Sequence, residues 1–183
     1  MDTWDEQYRA GRWEHLRAIK EVARFGIVSG YVHHFLENGS VLDAGCGEGL
    51  LLPFLDRSRV GRYVGFDISP SALAKAPVDR TRDELAEGSL ESYRTDEQFD
   101  AVVFNEVLFF AESPAATVDR FRANLKPDGV MIVSMYQKHR PEGGLGGMTR
   151  QLWDHFDAGW DVLDEVELTN VVKDIVWRLR VVR

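Results

Sequence analysis

The spacing of apolar and polar residues changes period several times along the chain, and each change predicts an element. Residues 1–37 are rich in Glu, Arg, Ala and aromatic side chains and contain no Pro. They end on "ENGS", a stop-and-turn signal, and so predict a helical segment. A short apolar run over 40–44 predicts a strand. The glycines after it lead into "GLLLPFLDRS" (49–58), read as a helix with Pro53 in its first turns. "YVGFDIS" (63–69) predicts a second strand ending in an acid. "SPSALAKA" (69–76) predicts a helix with a serine N-cap and a proline in its first position. A weaker strand is expected near 84–88. "FDAVVFNEV" (99–107) reads as a buried strand, "SPAATVDRFRANLKPDG" (113–129) as a capped helix closed by a turn, and "VMIVSMY" (130–136) as a further strand. Residues 137–150 are polar and hold "GGLGG", which predicts a mobile loop. "VLDEVELTN" and "DIVWRLRVV" follow. Ile175, Trp177, Leu179 and Val181 alternate in the second, as in a half-buried strand, and the short connection predicts an antiparallel hairpin.

Strands alternating with short helices imply right-handed βαβ units and a mostly parallel sheet. The fold class is therefore α/β, a Rossmann-like sheet with helices on both faces and a C-terminal antiparallel hairpin at its edge. One domain over 1–183 is expected from the length. It divides into an N-terminal helical lid (1–37), a core (38–136), and a loop with the terminal hairpin (137–183).

Composition narrows the function. A formal net charge of -8 argues against an electrostatic grip on nucleic acid. No apolar run approaches the roughly 18–20 residues of a membrane span. The acidic, aromatic start lacks the basic and apolar regions of a signal peptide. Cys46 is the single cysteine, which excludes an internal disulfide and a multi-cysteine metal site. The expectation is a cytoplasmic globular protein with no membrane, nucleic-acid or metal partner. The composition says nothing about oligomeric state.

"VLDAGCGEGL" (41–50) carries the chemistry. Asp43 ends the first strand, and Gly45, Gly47 and Gly49 turn the chain. Glycine lets backbone N–H groups approach a ligand with no Cβ in the way. Alone, such a loop is equally a tight turn. Asp67 ends the second strand 24 positions after Asp43, where an acid accepts hydrogen bonds from ribose hydroxyls in nucleotide-binding βαβ units. Capping the helix at Ser69 and Pro70 is a compatible role. A dinucleotide loop is usually G-x-G-x-x-G, with a pyrophosphate at the helix N-terminus. The spacing here is G-x-G-x-G, with Asp43 and Glu48 alongside. Acids there suit a cationic ligand, such as the sulfonium and ammonium of S-adenosylmethionine, rather than a pyrophosphate.

"VLDAGCGEG" resembles the first motif of class I S-adenosylmethionine-dependent methyltransferases. "YVGFDIS", "FDAVVFNEVLFF" and "LKPDGVMIVS" resemble their later motifs, so the likeness spans 41–134. The terminal hairpin matches the family's antiparallel strands, and "WDEQYRAGRW" looks like the cofactor lid of its small-molecule members. Within the family the chain is similar to nodulation-type N-methyltransferases and tellurite-resistance-like enzymes. The resemblance implies a seven-stranded sheet, S-adenosylmethionine as cofactor and S-adenosylhomocysteine as product. It also implies a site. Asp43, Ala44, Gly45 and Gly47 face the methionine half, Asp67 holds the ribose, and Ile68 covers one adenine face. Ser89 and Leu90 border the adenine edge, where the family often has an acid or an amide. Asn105 and Glu106 stand where a backbone carbonyl takes the methionine ammonium, and Tyr8 closes over the cofactor.

Methyl transfer is an in-line displacement, so positioning alone can supply on the order of 7–11 kcal/mol. A general base helps only where the nucleophile must lose a proton, by about 10²–10⁴-fold. Glu106 and His139 are the catalytic candidates, against capping, ion-pair or solvated-loop roles. His155, beside Trp153 and Phe156, is a candidate to line an acceptor pocket. His33 and His34 fit a helix-end or surface role, and Cys46 a small loop residue with no basic partner. The acceptor expected is a small molecule with an O, N or C nucleophile. A protein acceptor, a non-catalytic binding or assembly role, and a nicotinamide-dependent oxidoreductase are the alternatives. The loop spacing and edge hairpin disfavour the last.

Overall fold

A computed structural model describes residues 3–137 and 145–183. Its framework is a seven-stranded sheet in the order β3-β2-β1-β4-β5-β7-β6. The strands are β1 (Gly39–Ala44), β2 (Val60–Asp67), β3 (Asp83–Glu87), β4 (Phe99–Asn105), β5 (Leu125–Gln137), β6 (Val162–Asn170) and β7 (Ile175–Val182). β1 to β5 pair in parallel. β7 pairs antiparallel with both β5 and β6, which makes the expected edge hairpin. The helices are α1 (Trp4–Arg9), α2 (Ile19–Phe35), α3 (Pro70–Leu73), α4 (Pro114–Phe121) and α5 (Leu145–Gly159).

Alternation along the central strands divides the core in two. Leu42, Val102, Phe104, Met131 and Val133 face α4 and α5, with Phe121, Leu152 and Phe156. Val41, Ala101, Val103, Val130 and Ile132 face α2, with Phe25, Val28 and Val32. Both faces are covered, which is why these strands read as continuous apolar runs. β7 is covered on both faces too, since Val176, Arg180 and Val182 are buried beside the alternating Trp177, Leu179 and Val181.

Four sequence expectations need correction. Residues 49–58 form one turn of 3₁₀ helix, Leu52–Phe54, instead of a longer helix. Pro53 removes an N–H, and the Asp56 carboxylate draws the Ser58 N–H and hydroxyl into a turn of its own. The helix expected over 69–76 ends at Leu73 and continues as turns in which Lys75 N–H donates to the Ala72 carbonyl and Ala76 N–H to the Leu73 carbonyl, before Pro77. The turn at 126–129 lies inside β5: Leu125 pairs with Phe99 and Val130 with Ala101, so the segment between bulges outward. The polar loop over 137–150 gives way to α5 from Leu145 onward. Thr149, Leu152, Trp153 and Phe156 are buried at helical spacing and hold it despite Gly146 and Gly147. No helix among the described residues is long and apolar enough to cross a membrane.

The strand order reverses between β1 and β4, and a crevice opens beyond their C-terminal ends. The glycine loop leaves β1 there, and Glu106 leaves β4.

Candidate functional site

The glycine loop is stapled to the tip of β2. Cys46 N–H donates to the Phe66 carbonyl at 2.9 Å, and Gly47 N–H donates to Asp67 Oδ2 at 2.9 Å. Two glycines are sterically required. Gly45 has φ +66°, and a Cβ there would stand 2.2 Å from Val107 Cγ2. Gly47 has φ +54°, and its Cβ would stand 2.5 Å from the Tyr8 hydroxyl. The bare backbone thus makes room for a neighbouring strand end on one side and for the N-terminal segment on the other.

Asp67 accepts from Gly47 N–H through one oxygen and from Ser69 N–H, at 2.9 Å, through the other. Its side chain is fixed by these backbone amides. Burial raises its pKa, and the amide hydrogen bonds work against that rise. Asp43 is more deeply set, at 3% exposure, and accepts one hydrogen bond, from the Tyr63 hydroxyl at 2.7 Å. Burial pushes its carboxyl up to about 7. Tyr63 opposes the shift, and the negative charge of Asp67 adds to it.

Glu48 behaves differently from the expectation of an acid available to a cation. Lys75 at 2.8 Å and Arg17 at 2.5 Å pair with it. Burial would raise its pKa, but those two partners outweigh it and hold the carboxyl below the usual range. Its charge is already neutralised within the protein. Cys46 is buried, and burial lifts its thiol well above the usual value, consistent with a packing role.

Across the crevice, Glu106 has φ +62°, a left-handed conformation that a non-glycine residue seldom adopts. The turn aims its carboxylate back along β5. Oε1 accepts from the Ser134 hydroxyl at 3.0 Å and Oε2 from Tyr136 N–H at 3.1 Å. Burial pushes the carboxyl up to about 7, while the Arg24 charge and these hydrogen bonds pull the other way. Arg24 itself is 1% exposed. Its guanidinium donates to Asn105 Oδ1 and to Glu21 Oε2, the latter at 2.9 Å, which compensates a buried charge.

The N-terminal segment covers this ground. Trp4 packs edge-on against Phe110 with ring centroids 4.6 Å apart, and against Trp13 at 5.7 Å. Tyr8 lies 5.8 Å from Trp13, with its hydroxyl over Gly47. Desolvation raises the Tyr8 pKa, so its hydroxyl stays protonated.

One cleft of about 630 Å³ gathers Tyr8, Asp43, Gly45, Gly47, Asp67, Ile68, Ser89, Leu90, Asn105 and Glu106 in its walls. The volume suits a nucleoside-sized ligand with a second small molecule beside it. Ile68 is 46% exposed there. The Ser89 hydroxyl already accepts N–H groups of Glu91 and Ser92, each at 3.1 Å, in a local turn. The Ala44 side chain is fully buried in the α4 and α5 core. His139 lies outside the described residues. His155 is a correction. It sits on α5 with Nε2 2.9 Å from Asp119 Oδ1, away from the cleft, and Trp153 is core. His33, near the end of α2, accepts from Asp56 N–H at 2.8 Å.

The sequence reading missed Glu21 and Arg24, and with them the lining residues Phe25, Tyr136, Ile175 and Trp177. Glu21 and Arg24 share the helical phase of Phe25, Val28 and Val32, so two charges on an apolar stripe were the available signal. Among the described residues, no three His, Cys, Asp or Glu side chains come together as a metal site.

A sheet of this order, with a glycine loop and paired strand-tip acids at its switch point, is the fold of class I methyltransferases. A model of the methyltransferase domain family matches residues 11–174, and the chain belongs to that family, whose methyl donor is S-adenosylmethionine. It is 30% identical over 144 residues to the ubiquinone biosynthesis O-methyltransferase of Neisseria meningitidis serogroup C, covering 74% of this chain and 58% of that one. It is 30% identical over 122 residues to the mitochondrial ubiquinone biosynthesis O-methyltransferase of Dictyostelium discoideum, covering 58% of this chain and 38% of that one. The chain thus spans about half the length of these relatives. Among solved structures, the N-methyltransferase NodS from Bradyrhizobium japonicum WM9 superposes with a TM-score of 0.75 at 18% identity, over 89% of this chain and 95% of that one. NodS has also been solved with S-adenosylhomocysteine.

Proposed function

We propose that the protein transfers the methyl group of S-adenosylmethionine to a small-molecule nucleophile, working in the cytoplasm. The observation that carries this reading is the convergence, in one lidded cleft, of the stapled glycine loop with Asp67 and, opposite them, Glu106. The acids fit the cofactor: Asp67 is a fixed acceptor in the cleft wall and Asp43 a buried carboxyl beside the glycine loop, whose bare backbone is closed in by Val107 and Tyr8. Asp67 would hold the ribose hydroxyls, Ile68 and Leu90 would flank the adenine, and Asp43 and Asn105 would face the methionine end. The cofactor, when bound, supplies an activated sulfonium methyl.

The chain's own part is to hold an acceptor in line with that methyl and keep water out. Phe25, Tyr136, Ile175 and Trp177 give the α2 and β7 side of the cleft an apolar and aromatic wall, which suits a flat or apolar acceptor. Glu106 stands at the junction of the two sides. With its carboxyl near 7 it is matched to take a proton from a hydroxyl or ammonium group at neutral pH. The net charge of -8 supports a small acceptor over a nucleic acid.

The test is S-adenosylhomocysteine release against a panel of phenols, amines and carboxylic acids. Wild-type turnover should rise with pH through about 7, as Glu106 ionises. Glu106→Gln should lower kcat by about 10²–10⁴-fold and abolish that rise. Full activity in Glu106→Gln would remove it as the base.

A further inference from the structure

α1 is only six residues long and contributes no buried side chain, so it cannot hold itself in place. Its own devices are local. Thr3 and Glu6 form a capping box, and Arg9 pairs with Asp5 at 2.8 Å. The aromatic contacts of Trp4 hold one end against Phe110. Tyr8 reaches the far side of the cleft through its hydroxyl over Gly47 and a long 3.5 Å bond from Lys75 Nζ to its carbonyl, and Asp5 makes the shorter contacts there. Asp5 Oδ1 accepts from the Ser69 hydroxyl at 2.8 Å and from Ser71 N–H at 2.9 Å.

The place it grips is the turn that follows Asp67. Ser69 N–H is the donor that fixes Asp67 Oδ1, and the Ser69 hydroxyl caps α3 by accepting from Ala72 N–H. Ile68, an exposed apolar side chain of the cleft wall, lies between them. Asp5 therefore ties the lid to the same three-residue turn that carries the ribose acid. The Ser71 N–H, then the Ser69 hydroxyl, hold the Asp5 carboxyl down at about 2, so it stays charged at any working pH. Charge-assisted bonds of this kind are the stronger ones.

We propose that Asp5 is a latch: by gripping Ser69 and Ser71 it holds α1 shut over the adenosine end of the cleft and sets how long a bound nucleoside cofactor stays. Asp5 is a positioning residue, acting through Tyr8 and the turn at Ile68. The residence part rests on the cofactor reading above; the latch itself does not.

The experiment measures two quantities on the full chain: hydrogen exchange of the α1 amides without ligand, and the dissociation rate of S-adenosylhomocysteine. Losing two charge-assisted hydrogen bonds in Asp5→Ala should raise both by roughly tenfold, with the association rate not reduced. Asp5→Asn keeps an acceptor oxygen and should fall between. Arg9→Ala removes the ion pair but neither latch bond and should match the wild type. Wild-type exchange and dissociation in Asp5→Ala would overturn the latch. An Arg9→Ala effect equal to that of Asp5→Ala would also overturn it, by assigning the change to the stability of α1. A wild-type protein that binds no S-adenosylhomocysteine would overturn the residence claim together with the cofactor reading, and the exchange data would then decide the latch alone.

Discussion

Asp43 illustrates what single residues contribute at this cleft. It is a carboxylate with one hydroxyl partner and almost no water, facing a second acid. Its carboxyl stands at about 7 against an ordinary 3.8. Between those values the folded chain keeps a proton that the unfolded chain releases. Ligand-free stability therefore falls as pH rises through that window, and levels off above it. A bound cation favours the ionised carboxylate and offsets the loss. Asp43→Asn still accepts the Tyr63 hydroxyl and removes this contribution. Its ligand-free melting temperature should exceed that of the wild type near pH 8 and approach it near pH 4; parallel melting curves at all pH values would refute the burial argument. Asp43, Asp67 and Glu106 are legible in the sequence because each closes an apolar strand, and strand tips in a parallel sheet share one edge. Glu21 and Arg24 are not legible as a pair with Asn105. The Arg24 bond to Asn105 spans 81 positions, and only the packing of α2 on the sheet brings it about.

At the scale of elements, the glycine loop works as a unit with α1. Gly47 combines left-handed backbone with a Tyr8 hydroxyl where its Cβ would be. Gly47→Ala pays twice, with about 1–2 kcal/mol of backbone strain and displacement of the lid tyrosine. Cofactor affinity should drop at least tenfold while the sheet stays folded, as circular dichroism and a titration would show. Unchanged affinity would mean that Tyr8 does not close over this loop. The central parallel strands and the hairpin are legible because their apolar residues run or alternate clearly between turn signals, whereas β3, the half-exposed DELAE, is faint. The elements that fail to match are short or glycine-bearing. Residues 49–58 carry helix-like composition but are turned by Pro53 and Asp56. α5 opens on glycines of low helical propensity, and tertiary burial of Phe156 and its neighbours overrides them.

For the whole molecule, the strand order decides where chemistry can occur. Reversal between β1 and β4 puts the loop after one strand opposite the acid after the other, and α1 and α2 roof the gap. The alternation of strands and helices is enough to infer a mostly parallel sheet, while the strand order is seen only in the folded chain. The aromatic wall from α2, β5 and β7 is beyond sequence reasoning, because Phe25, Tyr136 and Trp177 come from three distant segments. The central claim is that this cleft holds S-adenosylmethionine on Asp67. It is tested most directly by calorimetric titration with S-adenosylmethionine and S-adenosylhomocysteine, with NAD as the control, on wild type and Asp67→Ala. The account predicts saturable binding of the first two, no binding of NAD, and at least a roughly tenfold loss in Asp67→Ala. Binding of neither sulfur nucleoside, or equal binding by Asp67→Ala, would contradict it.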